Sequence, residues 1–174
     1  MNADKLKKRK GYQLTLVESQ LPLSIRFCKD IKKIMIHKEI YIPEAEWLVR
    51  MYFALDTFYI DDIMENLYHI GCDGERARRA YENMIADKKN TGFTYSNYRN
   101  RESVMVVSKT TSAGEFFNTT VHELTHLASH IANACQYEPT GETIAYIIGD
   151  VAKEIFPDIR HLLCECCRNK IYEK

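Results

Sequence analysis

The sequence predicts an α+β fold, a small antiparallel sheet packed on one long amphipathic helix with several further helices. Three observations carry this. Two arms rich in aromatic and β-branched residues, 92–96 (GFTYS) and 103–109 (SVMVVSK), flank a polar link and read as a hairpin. From Ser112 onward apolar residues recur at steps of three and four over more than twenty positions. Similar helical periods precede and follow. At 174 residues and 45% hydrophobic, the chain has material for one core, and no repeat or low-complexity stretch divides it.

Taken in order, residues 5–10 (KLKKRK) are basic, and residues 1–11 read as a flexible terminus ahead of a single domain over 12–174. Residues 12–17 (YQLTLV) alternate as a short strand. Pro22 suits a first helical turn, and Phe27, Ile31, Ile34 and Met35 extend that helix to about Lys38. Pro43 opens a second helical run through Trp47, Leu48, Met51, Tyr52 and Leu55. It loosens near Thr57, resumes with Ile63, Met64, Leu67 and Tyr68, and stops at Gly71. Asp73 heads a helix bearing Ala77, Tyr81, Met84 and Ile85. After the hairpin, Ser112 and Glu115 form a capping box. The helix they start runs to about Cys135, with Phe117, Val121, Leu124, Ala128, Ile131 and Cys135 as its core stripe. Pro139 and Gly141 end it. A helix over 140–155 follows, Pro157 interrupts, and a short helix over 158–168 closes the chain.

Charges balance at 24 against 24, so neither nucleic acid nor a basic partner is expected. The start has no apolar signal region, and no uncharged stretch matches a bilayer. The expectation is a cytoplasmic protein whose six cysteines stay reduced. Cys164, Cys166 and Cys167, near His161, lack the second C-x-x-C knuckle of a structural zinc site and read as packed helical thiols. His37 and His69 are isolated and read as structural.

The chemistry sits in residues 122–126, His-Glu-Leu-Thr-His. Residues four apart share a helix face about 6 Å apart along the axis, so His122 and His126 can grip one metal ion, with Glu123 beside them as a base. His130 stands about 12 Å from His122, too far to share the ion. The pattern H-E-x-x-H-x-x-G-x-x-H fails at Ser129 and Ala132. Glu142, at the start of the next helix, offers a carboxylate as third ligand. The face carrying the histidines also bears Asn118, Ser129 and Asn133 but no lysine or arginine, unlike an ordinary solvent face.

This constellation resembles the zincin metallopeptidases, in the glutamate-ligand branch called gluzincins. It also resembles small phage and mobile-element proteins with an N-T-x-x-H-E-L-x-H core and a downstream G-E-x-x-A-Y, here residues 118–126 and 141–146. The resemblance implies a zincin-like fold and Zn2+ held by His122, His126 and Glu142. It implies Glu123 as general base, and a sheet edge before the helix that binds extended substrate through Val104, Val106 and Ser108. Thermolysin-like members carry an aspartate one turn after the glutamate ligand. Tyr146 stands there, assigned to oxyanion stabilisation, and Asp150 follows a turn later. The expected function is therefore a zinc metallopeptidase acting on a peptide or protein substrate. The alternative is a metal site that serves structure or partner binding without catalysis.

Overall fold

The computed structural model describes residues 35–138 and 141–172. The basic terminus, the strand expected over 12–17 and most of the helix expected from Pro22 lie outside the described residues. What is described is a mixed α/β fold with a small four-stranded mixed sheet and five α-helices. The strands are β1 (Ile36–Ile42), β2 (Trp47–Phe53), β3 (Gly92–Asn97) and β4 (Glu102–Val107). The helices are α1 (Ile60–His69), α2 (Gly74–Ile85), α3 (Ala113–Cys135), α4 (Glu142–Ile159) and α5 (Glu165–Tyr172).

The sheet runs β1-β2-β4-β3. The expected hairpin is present: β3 and β4 pair antiparallel, Gly92 opposite Val107 and Asn97 opposite Glu102. At its turn the Asn97 side chain accepts from the Arg99 and Asn100 N–H groups. The sheet is not wholly antiparallel, however. β2 pairs antiparallel with β1 but parallel with β4, Leu48 opposite Glu102. The cause is the connection between them. α1 and α2 cross one face of the sheet after β2, and β3 then returns the chain at the far edge.

Two segments expected to be helical are strands. Residues 36–38 open β1, whose IHKEIYI alternates in burial, and WLVRMYF forms β2. Trp47, Val49, Met51 and Phe53 face one layer of helices, while Tyr52 faces the other. A strand buried on both faces reads as a continuous apolar run, and such a run also satisfies a helical period. The loosening near Thr57 marks a real break. Asp56 caps a short 3-10 turn over Thr57–Tyr59 by accepting from the Phe58 N–H, and α1 follows. Gly71 ends that helix with φ +81°, a left-handed conformation that suits glycine.

Helices cover both faces of the sheet. On one side α3 and α4 pack Phe116, Leu124, Leu127, Ala128, Ile131, Ile147, Val151 and Ile155 against β2 and β4. On the other, Ile60, Ile63, Met64 and Leu67 of α1, with Ala77 and Met84 of α2, cover Tyr52, Val104 and Val106. Tyr81 and Ile85, expected inside, stand exposed.

The Ser112 cap holds: its hydroxyl accepts from the Glu115 N–H at 3.0 Å. The buried stripe of α3 is rotated from the expected one. Phe117 and Val121 are exposed, while Phe116, Thr119, Thr120, Glu123 and Leu127 are buried. Polar side chains thus occupy part of the face laid on the sheet. α4 runs two residues beyond Pro157. The proline denies the Lys153 carbonyl its donor, but both residues are exposed and water can serve it. Residues 160–164 then turn, so the last helix starts later than expected.

Among the buried side-chain polar atoms described, the Thr120 hydroxyl has no hydrogen-bond partner. Thr120→Val keeps the shape and removes the unsatisfied group, so it should stabilise the fold by about 1 kcal/mol. Urea denaturation checks this; a loss of stability of that size would show that the hydroxyl is partnered in solution.

Candidate metal centre

The motif lies midway along α3, a helix about 34 Å long. His122 and His126 project to solvent, one turn apart. Their Nε2 atoms are 3.0 Å from each other, with ring centroids 4.6 Å apart and planes at 82°. Two nitrogens each 2.0–2.1 Å from a tetrahedral zinc lie about 3.3–3.4 Å apart. The pair therefore converges on one point with nearly the spacing two ligands need. Without metal, the same approach is a single Nε2–H···Nε2 hydrogen bond.

Glu123 is only 3% exposed. It turns from the histidine face toward β3, where the Thr94 hydroxyl donates to Oε2 at 2.8 Å. Gly92 makes the seat possible. A Cβ there would stand 2.8 Å from Glu123 Cγ and 2.8 Å from the Val106 carbonyl oxygen. Burial pushes the Glu123 carboxyl above its ordinary range, offset by the Thr94 hydrogen bond and the neighbouring His126 and His122.

His130, excluded as a co-ligand of His122, has a different place. Trp47 Nε1 donates to Ser103 Oγ at 2.8 Å, Ser103 Oγ lies 2.7 Å from Ser96 Oγ, and Ser96 Oγ lies 2.9 Å from His130 Nδ1. An indole N–H can only donate. Ser103 therefore accepts from Trp47, and the two hydroxyls carry the network on to His130 Nδ1. Burial, then the nearby His126, lowers the His130 pKa and favours the neutral ring.

Three sets of expected site residues are not gathered at the histidine pair in this structure. Glu142 is not brought to the histidines. Among the described residues, the one group of three or more His, Cys, Asp or Glu side chains with donor atoms within 4.8 Å of one another is Cys164, Cys166 and Cys167. The reason is helical phase: Glu142 precedes buried Val151 by nine residues, about half a turn from the core direction, and is exposed in the first turn of α4. Tyr146 is 66% exposed and lines a groove of about 420 Å³ with Tyr41 and Pro43. That groove belongs to β1, the opposite edge of the sheet from the strand seating Glu123, about 14 Å across. Val104, Val106 and Ser108 do not form an open edge. β4 is bonded to β2 on one side and β3 on the other, both valines are buried, and the Ser108 N–H donates to the Thr91 carbonyl. The more apolar arm of the hairpin took the interior position. The outermost strand beside α3, among the described residues, is β3.

The side chains that build the seat were not singled out from the sequence, yet a signal exists. Gly92, Thr94 and Ser96 alternate with Phe93 and Tyr95. The small and polar set approaches α3, and the aromatic set packs toward α1 and α2. A strand whose helix-facing side is Gly-Thr-Ser leaves room for a polar group on the helix.

Comparison with protein-family models, with curated proteins and with solved structures finds no match for this chain.

The close approach at Gly92 is to backbone as well as side chain, so Gly92→Ala should destabilise the protein by about 1–3 kcal/mol in chemical denaturation. Wild-type stability would show that α3 can move off the strand. Glu123→Gln should act oppositely in metal-free protein. The folded carboxyl holds its proton more tightly than the unfolded chain does, so its ionisation burdens the fold as pH rises through and above the folded value. The glutamine form should melt roughly 2–4 °C higher at pH 7, and the gain should vanish below the unfolded value near ~4.3. Melting curves across that range check the sign.

Proposed function

We propose that this protein is a zincin-like, zinc-dependent hydrolase acting on peptide bonds, with its centre at His122, His126 and Glu123. One observation carries the reading: two histidine Nε2 atoms converge at 3.0 Å next to a buried carboxylate. The helix bearing this motif lies against the outer described strand of a small sheet, and that supports the zincin-like reading. His122 and His126 would hold the ion through Nε2. Zinc, when bound, supplies a polarised water and a Lewis acid.

The remaining chemistry belongs to the chain. Glu123 is the base. In the seat Thr94 holds Oε2 and Oε1 faces Gly92, so the carboxylate would swing from β3 toward the histidines to take the proton and pass it to the leaving amine. Burial raises its proton affinity, which suits a base working nearer neutral pH than a free carboxylate. His130, tied through Nδ1 to Ser96, lies on the same side of α3 as His126, their ring centroids 6.3 Å apart, and would offer its Nε2 to a bound group. β3, outermost among the described strands, would take the substrate role first assigned to β4 and pair its outer main chain with an extended peptide.

A second reading, a metal site without turnover, is favoured by the outward positions of Glu142 and Tyr146. The two separate cleanly. Elemental analysis of wild-type protein against His122→Ala/His126→Ala should show one equivalent of zinc lost. Glu123→Gln should keep that equivalent and lose about 10²–10⁴-fold in cleavage of a peptide library read by mass spectrometry. Cleavage undiminished in Glu123→Gln rejects the mechanism. Zinc at the histidines with no cleavage by wild type selects the second reading, and zinc unchanged in the double variant rejects both.

A further inference from the structure

The last turn of the chain gathers three thiols for which the histidine centre has no use. Cys164 sits one residue ahead of α5, and its carbonyl accepts from the Cys167 N–H at 3.1 Å and the Arg168 N–H at 2.8 Å. Cys166 and Cys167 lie in the first turn that these bonds close. The Sγ atoms of Cys164 and Cys166 are 3.0 Å apart, those of Cys166 and Cys167 are 3.8 Å apart, and all three lie within 4.8 Å of one another. None forms a disulfide. The sequence reading of packed helical thiols does not fit. Cys166 is exposed and the other two are only half-buried, so the group is not core packing.

The turn is anchored. Arg168, 7% exposed, donates to the carbonyls of Thr110 and Thr111 at 2.9 Å each and to Glu165 at 2.8 Å. Glu165 in turn accepts from the Ala113 N–H at 2.7 Å. Both contacts fall on the segment that leads into α3, so the three sulfurs are presented from a fixed base. The turn brings the three thiols together, and because thiols are weak donors and acceptors they gain little from one another, which leaves their sulfurs available to a shared cation.

The donor set decides which cation. Sulfur ligands select soft ions, copper(I) and zinc foremost. A structural zinc takes four protein ligands. Here the described group contains three, and His161 is not among them. We propose that Cys164, Cys166 and Cys167 form a three-coordinate thiolate site for copper(I), separate from the centre on α3. Each sulfur that binds releases its proton, and the ion keeps its oxidation state.

The test uses the full-length, reduced, metal-free protein titrated anaerobically with copper(I) against a chromophoric copper(I) chelator. Wild type and His122→Ala/His126→Ala should each withdraw one equivalent. Cys164→Ser/Cys166→Ser/Cys167→Ser should bind at least about 100-fold more weakly. Cys166→Ser alone, an exposed change that spares the fold, should lose at least about tenfold, whereas Cys135→Ser should lose nothing. X-ray absorption of the loaded protein should show three sulfur neighbours. Four outcomes overturn the proposal: equal binding by the serine variants, loss of the ion in the histidine variant, two sulfur neighbours only, or an equimolar copper(I) and zinc competition that leaves zinc on the cysteines.

Discussion

A carboxylate held almost out of water between a helix and a strand is the constraint on which this molecule turns. Glu123 can lie there only because β3 presents Gly92 and Thr94 to α3, one yielding space and the other a hydroxyl. A buried carboxylate with so few partners opposes folding, and proteins keep such groups where chemistry calls for them. Its position also sets the histidines. The buried arc of α3 runs from Thr119 and Glu123 round to Leu124 and Ala128, and His126 and His122 fall just outside its Glu123 edge.

The same strand organises a second polar layer. Ser96 and Ser103 link Trp47 of β2 to His130 of α3 across the sheet. Buried polar groups are tolerable when each finds a partner, and this series satisfies the indole, both hydroxyls and one ring nitrogen. Thr120 is the contrasting case on the same helix, with a hydroxyl that stays unserved. The helix face toward the sheet therefore mixes apolar packing with polar sites, which is why a purely hydrophobic stripe mislocated its edge at Phe117 and Val121.

Local signals carried much of this into the sequence. The hairpin, the Ser112 cap, the extent of α3 and the stop at Gly71 each depend on neighbouring residues, and each was readable. The histidine pair was readable for the same reason, since four-residue spacing on one helix is local geometry. Features that depend on distant partners were not. β2 is apolar on both faces, so its period is ambiguous until its neighbours are known. The interior position of β4 follows from pairing with a strand 54 residues earlier (Leu48 with Glu102), and nothing in either segment announces it. Glu142 and Tyr146 were placed by spacing along the chain, whereas their directions follow from the phase of α4 on the core. Alternation of Gly92, Thr94 and Ser96 was visible, but it gains meaning only once α3 lies on that strand.

The parallel pairing of β2 with β4 also bears on how the molecule comes together. Its two strands are separated by α1, α2 and β3, and closing so long a loop carries an entropic cost that the contacts must offset. The histidine pair needs no such closure, because one turn of helix makes it. The Glu123 seat waits for Thr94, 29 residues away, to arrive with the hairpin. The two halves of the motif thus differ in what they require: local winding alone for the histidine pair, long-range docking for the Glu123 seat.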